Sequence, residues 1–429
     1  MNPRRWAPFF AVLIFTAATS APQPARAWDG LLRAPVTKET NTDWPQFLGP
    51  TRNGVSPETG LLQTWGEKGP PVLWDKEVGE GYSGPVVVGD RLILFHRVGA
   101  EEVVECLDAA GGKPKWKYAY ATAYRDALGK GDGPRSTPVV SEGRVYTLGA
   151  EGGLLCLDLE KGTKVWSRAL VNDYKIKQSY FGVATTPLIE GDLLLVNVGG
   201  GKGAGIVAFN KADGKEVWKA TDHDASYSSP VAATIDGVRH VLFFTREGIV
   251  SLDPANGAVR FSKHWRAKID ASVNAATPVL LDDQVFVTAS YGTGAMLAKV
   301  KKDKLEEVWS NDETLSCHFD TPVYHDGCLY GFDGREEAGA VLRCVELKSG
   351  KVKWEKKGFG TGSMIVADGN LILMTENGEL VLLAATPEKY DEKAKATVLR
   401  NPVRAYMALA NGRLYGRDNK KLVCWDLKK

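Results

Sequence analysis

The stretch Leu107-Asp108-Ala109-Ala110-Gly111-Gly112-Lys113-Pro114-Lys115-Trp116 decides the reading of this chain. An apolar run ends at Leu107, a tight turn follows, and a second run begins that carries a tryptophan. Asp at the turn accepts hydrogen bonds from the next backbone N–H groups, and Gly takes a left-handed conformation that other residues resist. The tryptophan has a large apolar face and one N–H, so it needs both cover and an acceptor. The same pattern closes at Trp166, Trp218 and Trp354. Phe261 takes the tryptophan's place in one copy, Trp309 follows a turn of different composition, and a seventh copy has no tryptophan.

Each copy extends upstream in the same way. A Ser/Thr-Pro step (Ser136-Thr137-Pro138, Thr186-Pro187, Ser229-Pro230, Thr277-Pro278, Thr321-Pro322) leads through two short Val/Leu/Ile-rich runs separated by Gly, Asp and Asn. A first copy opens at Gly84-Pro85, a seventh near Met364 and an eighth near Met407. Anchor spacings of about 42 to 53 residues lie in the range of propeller blades, and the apolar runs are strand-length with no long helical period. The expected fold is therefore all-β, an eight-bladed β-propeller with seven blades as the alternative count. The eighth copy stops at Trp425-Asp426-Leu427 without its last strand, and Val72 to Val78 has the character of that strand. Pairing the two closes the ring and removes an exposed sheet edge. Residues 119–135 form the main irregular insertion.

Cys106, Cys156, Cys344 and Cys424 occupy one slot of four copies, and Ala208 and Ser251 fill it elsewhere. A slot that accepts Cys, Ala or Ser is a small buried strand position, and equivalent slots of different blades lie too far apart for a disulfide. Whether Cys317 and Cys328 pair is left open.

Composition narrows the function classes. With 54 Lys+Arg against 52 Asp+Glu, there is no basic excess of the kind that tracks phosphates, which argues against nucleic-acid binding. Arg4-Arg5, the apolar run Phe9 to Ala18 and the Ala25-Arg26-Ala27 site read as a secretory signal peptide over residues 1–27, with an earlier cut near Ser20-Ala21 as the alternative. Residues 28–70 then form an N-terminal extension and 71–429 the propeller. No later segment reads as a membrane span. The expected location is periplasmic or otherwise extracytoplasmic.

The turn ending at Trp116 and its counterparts resemble the tryptophan-docking motif of pyrroloquinoline quinone (PQQ)-type repeats. The resemblance covers roughly Pro71 to Lys429. It is shared by quinoprotein dehydrogenases and by the non-catalytic outer-membrane assembly propellers of the BamB kind. Trp44 to Gly54 (WPQFLGPTRNG), Gly129 to Pro138, Ser290 to Ala295 and Tyr330 to Arg335 are similar to an exported PQQ-like group common in planctomycete-type bacteria. The dehydrogenase side of the resemblance implies PQQ, a Ca²⁺ and an Asp general base. The chain departs from that pattern: it has no adjacent Cys pair and no C-x-x-C-H haem attachment.

Propellers bind ligands at the mouth of the central channel. The residues before each innermost strand should face that mouth: Tyr82, Arg135, Tyr180, Tyr227, Asn274, His318 and Arg404. Asp333, Arg335 and the loop Tyr124 to Asp132 would form its rim. A ring of aromatic and polar groups converging on a cavity is what a binding site requires, although each residue taken singly also serves as a turn residue. Gly199 to Gly205 reads as a hairpin, because strand rather than helix follows it. Asp222-His223-Asp224 reads as a solvated loop. A full repeat set without a recognisable catalytic set points to an envelope binding or scaffold propeller for proteins, peptides or a small ligand. The alternatives are a PQQ-dependent alcohol or sugar dehydrogenase and a polysaccharide-recognition module.

Overall fold

The computed structural model describes Met1 and residues 42–176, 180–267, 269 and 272–429. Everything that follows lies within one compact unit, Asn41–Lys429. The signal-peptide reading of residues 1–27 lies outside the described residues.

Among the described residues the strands form eight four-stranded antiparallel sheets. Blade 1 is Val86–Val88, Arg91–Val98, Glu101–Asp108 and Pro114–Ala121; blades 2 to 7 repeat that order along the chain, ending with Glu392–Thr397. Blade 8 takes Ala408–Ala410, Arg413–Arg417 and Lys421–Asp426 from the C-terminus and Val72–Glu77 from the N-terminal side. Trp74 pairs directly with Cys424. The innermost strand of blade 1 touches those of blades 2 and 8, so the ring is closed with eight blades. Among the described residues helix is confined to Leu170–Tyr174 and a 3₁₀ turn, Glu336–Ala338.

The docking motif explains the blade junctions. Indole N–H groups donate across to the next blade: Trp116 to the Leu159 carbonyl at 2.8 Å, Trp166 to Lys211 at 3.0 Å, and Trp218 to Pro254 at 2.9 Å. Trp309, Trp354 and Trp74 do the same toward Leu347, Thr386 and Ala109. Each indole lies on the turn of that next blade. A Cβ placed on Gly162 would sit 2.5 Å from the Trp116 ring, and one on Gly257 2.5 Å from Trp218. The motif glycine is thus needed twice, for its positive φ and for the flat contact.

A register shift just outside the shared slot (Cys106/Leu107, Cys156/Leu157, Ala208/Phe209) bulges the outer strand one residue before the tryptophan. Bulges re-aim side chains, and this one turns the ring toward the neighbouring blade. Residues opposite the anchor position include Leu297 and Leu382 as well as the expected Cys, Ala and Ser. All six cysteines are buried free thiols. Burial pushes Cys156 up to about 11, which keeps it protonated packing material.

The two exceptional junctions are built differently. Phe261 faces a blade-5 turn, Lys301 to Lys304, that contains no glycine and closes through a Lys301 N–H to Lys304 carbonyl bond of 2.9 Å. Ala394 stands where blade 7 lacks its tryptophan, opposite Leu382. There the N-terminal segment fills in: Leu62 N–H donates to the Leu427 carbonyl at 2.7 Å and Lys429 N–H to Gly60 at 3.2 Å, while Trp65 packs on the same core.

Residues 44–58 run across the innermost strands. Trp44 exchanges both backbone bonds with Val87, Val140 N–H donates to the Pro45 carbonyl, and Val366 N–H donates to Gly54. Arg52 is 5% exposed and donates to the Pro187 and Pro230 carbonyls of blades 3 and 4. Burial lowers its pKa to about 9.

Candidate functional site

The channel is lined at one level by the Ser/Thr-Pro steps, and the structure shows why a hydroxyl precedes the proline. Gly84 N–H donates to Thr137 Oγ1 (3.3 Å), Thr137 N–H to Thr186 Oγ1 (3.2 Å), Thr186 N–H to Ser229 Oγ (3.1 Å) and Ser229 N–H to Thr277 Oγ1 (3.3 Å). Thr277 N–H continues to Thr321 Oγ1 (3.0 Å), and Thr321 N–H ends on the Tyr406 hydroxyl (2.7 Å). Each hydroxyl satisfies a backbone donor of the preceding blade that the sheet ladder leaves free. Tyr406 reaches past blade 7 to supply the last acceptor.

Above this ladder lies a cavity of about 190 Å³. Of the residues expected at the mouth, Tyr82, Arg135, Tyr227, His318 and Arg404 line it. The other four do not line it. Tyr180 is 40% exposed outside the lining. Asn274 is buried and its amide donates to the Thr245 and Trp265 carbonyls at 2.8 and 3.0 Å, so it braces the blade 4–5 connection. Asp333 accepts from Ser316 N–H and pairs with Arg343 at 2.8 Å; burial raises its pKa. Arg335 lies over the Tyr291 ring at 4.7 Å and pairs with Glu337, at the rim.

The structure adds residues that spacing did not single out. Phe181 and Phe319 enter from loops, Glu336 and Glu337 from the 3₁₀ turn, Tyr406 from the start of blade 8, and Phe47 from the N-terminal segment, edge-on to Tyr406 at 4.7 Å. Tyr406 sits where other copies have Ser or Thr before the innermost strand, a signal legible in an aligned repeat. Phe47 had no such signal, because its segment lies outside the repeats.

The two cavity guanidiniums share one ring. The Arg135 carbon lies 5.5 Å and the Arg404 carbon 5.7 Å from the Tyr82 centroid. Arg135 also lies 5.6 Å from Phe181, and Arg404 5.4 Å from Phe319. Both are already paired. Arg135 binds Asp126, whose side chain is fully buried, and the Gly131 carbonyl. Arg404 binds Glu376 and Glu336, each at 2.6 Å. Burial works against the Arg404 charge, but these two carboxylates outweigh it and raise its pKa. His318 is held by Tyr291 (2.8 Å), and burial lowers its pKa to about 4, so the imidazole is neutral near pH 7.

PQQ is a planar tricarboxylate, and it needs unpaired cations for its carboxylates and converging oxygens for a Ca²⁺. Here Asp126, Glu336 and Glu376 occupy the guanidiniums, and Glu337 pairs with Arg335. Among the described residues no three His, Cys, Asp or Glu side chains converge as a metal site. The residues present do not fit PQQ with Ca²⁺. Nor does Asp222-His223-Asp224 gather ligands: His223 Nδ1 meets Thr245 at 2.9 Å and Asp222 accepts from Gly203 N–H.

Comparison with known proteins places this geometry in context. A family model described as outer membrane protein assembly factor BamB matches residues 67–172, 100–356 and 262–429. The BamB assembly factor of Yersinia pestis is 23% identical over 257 residues, 56% of this chain and 61% of that protein. The matched stretches span 23%, 61% and 64% of three curated BamB relatives, less than two thirds of each. The crystal structure of BamB from Moraxella catarrhalis superposes with a TM-score of 0.61 at 17% identity, covering 83% of this chain and 97% of that one. Quinohemoprotein alcohol dehydrogenase from Comamonas testosteroni gives 0.64 at 11% identity, over 90% and 80%. At these identities the two structures share the fold with this chain and nothing finer.

Proposed function

Because this chain belongs to the family described as outer membrane protein assembly factor BamB, we propose that it is an exported, non-catalytic binding propeller of the cell envelope that holds a partner protein or peptide at its channel mouth. One observation carries the reading. The guanidiniums of the cavity are already held, Arg135 by Asp126 and Arg404 by Glu336 and Glu376, in a recess walled by aromatic rings. Fixed side chains around a concave, mostly apolar site serve recognition. The name of the matched relatives, outer membrane protein assembly factor, supports a partner of the envelope. Among the described residues no helix is long and apolar enough to cross a membrane.

A photo-cross-linking amino acid at Lys130, on the mouth, should capture a defined envelope protein, and the same group at Val217, on the outer edge of blade 3, should not. Equal capture from both positions would refute mouth-directed binding. The dehydrogenase alternative is tested by titrating the full chain with PQQ and Ca²⁺ while following absorbance and dye-linked alcohol oxidation. Stoichiometric quinone binding with turnover would overturn the non-catalytic reading.

A further inference from the structure

We infer that the mouth cavity is an anchor pocket for a single uncharged aromatic side chain, Phe, Tyr or Trp, projected by the partner polypeptide. The inference rests on the partner-binding reading above and names what is recognised.

The wall of the cavity is a continuous strip in the order Phe181, Arg135, Tyr82, Arg404, Phe319, with successive ring-to-guanidinium separations of 5.6, 5.5, 5.7 and 5.4 Å. Guanidiniums stack on aromatic faces, and their edges here are held by Asp126, Glu336 and Glu376. The strip is therefore fixed before anything binds, and little ordering remains to oppose association. Its inner end is Phe47 against Tyr406. The volume, about 190 Å³, slightly exceeds the ~150 Å³ apolar cavity known to take benzene, which suits one ring.

Charge and polarity choose among occupants. A carboxylate entering the recess meets guanidiniums that are already paired, and the unpaired ammonium of the lining, Lys130, is exposed to solvent at the mouth. A sugar needs several free polar groups in fixed positions, whereas aromatic rings and paired guanidiniums make up this wall. An uncharged aromatic ring needs neither a counter-ion nor free polar groups and gains stacking on rings and guanidiniums. The N-terminal segment crosses blades 1 to 4 on the inner side, with Arg52 bonded to Pro187 and Pro230. This arrangement suits an inserted side chain rather than a threaded chain.

The test titrates the full chain with capped alanine pentapeptides whose central residue is Phe, Tyr, Trp, cyclohexylalanine or Leu, read by ligand-observed NMR. Aromatic peptides should bind about tenfold more tightly than the cyclohexylalanine peptide, which matches their bulk but has no π face. Ala184→Trp, which fills the cavity from its lining, should abolish the preference, and Tyr82→Leu should weaken it, with both variants checked for unchanged folding by circular dichroism. Equal affinity for Phe and cyclohexylalanine, binding unaffected by both variants, or competition by an oligosaccharide would overturn the inference. Cross-linking from Lys130 separates the two levels. Capture of a partner without aromatic preference sinks the anchor pocket alone, and aromatic preference without capture sinks the partner reading.

Discussion

Replacing Gly162 by Ala tests whether the blades are held by indole docking. Gly162 has φ of +66°, and a Cβ there would meet the Trp116 ring at 2.5 Å, well inside contact distance. Two penalties combine: roughly 1–2 kcal/mol for an L residue in the left-handed region and roughly 1–3 kcal/mol for overpacking against an indole that the Leu159 carbonyl also holds. Gly191 isolates the first penalty, since its φ is +57° and nothing lies within 4 Å of its would-be Cβ. Gly162→Ala should therefore destabilise by about 2–5 kcal/mol and Gly191→Ala by about 1–2 kcal/mol, read by equilibrium denaturation followed by tryptophan fluorescence and circular dichroism. In a Trp116→Ala background the Gly162→Ala penalty should fall to that of Gly191→Ala, as a double-mutant cycle requires of two groups in contact. Equal losses at Gly162 and Gly191, or strict additivity with Trp116→Ala, would refute docking as the force that joins blades.

Three further outcomes follow from the same geometry. Tyr406→Phe removes the acceptor of the buried Thr321 N–H, so it should destabilise by roughly 1–3 kcal/mol and speed hydrogen exchange at the Thr321 amide; unchanged exchange there would count against the closed hydroxyl ladder. Asp320 is 1% exposed, and burial raises its pKa to about 7; the folded state then binds a proton that the unfolded state releases near pH 4, so this residue's contribution declines as pH rises from about 4 to 7. Asp320→Asn should flatten that decline and stabilise the chain at pH 8 by on the order of a few kcal/mol, measured by urea unfolding at pH 5 and pH 8; a parallel shift at both values would contradict the burial argument. Removing the chain through Val78 takes away the strand paired with Lys421 to Trp425 and bares a sheet edge; size-exclusion chromatography should show self-association, and a stable monomer would contradict closure by this strand.

The mouth shows how far residue spacing carries. Tyr82, Arg135, Tyr227, His318 and Arg404 each stand just before an innermost strand, so one local rule finds them in five of the eight blades. The same rule misplaced Asn274, because the side chain turned back to the Thr245 and Trp265 carbonyls instead of the channel. That choice depends on which unpaired acceptors the fold brings near, and spacing carries no information about it. Phe181 and Phe319 sit in loops of differing length, so no common offset marks them.

Everything that recurs within one repeat is legible in the chain alone: the four-strand blade, the turn glycine, the anchoring tryptophan, the hydroxyl before proline, and the missing last strand that the N-terminal stretch completes. These depend on contacts between near neighbours in the chain or on a pattern repeated often enough to read. Pairings between distant segments become visible only in the folded ring. Arg404 meets Glu336 across 68 residues, Arg52 reaches Pro187 across 135, and residues 60–71 fill the junction where blade 7 has Ala394 in place of a tryptophan. Charge neutralisation and burial depend on distances in space, and until the ring closes those residues have no fixed distance from one another.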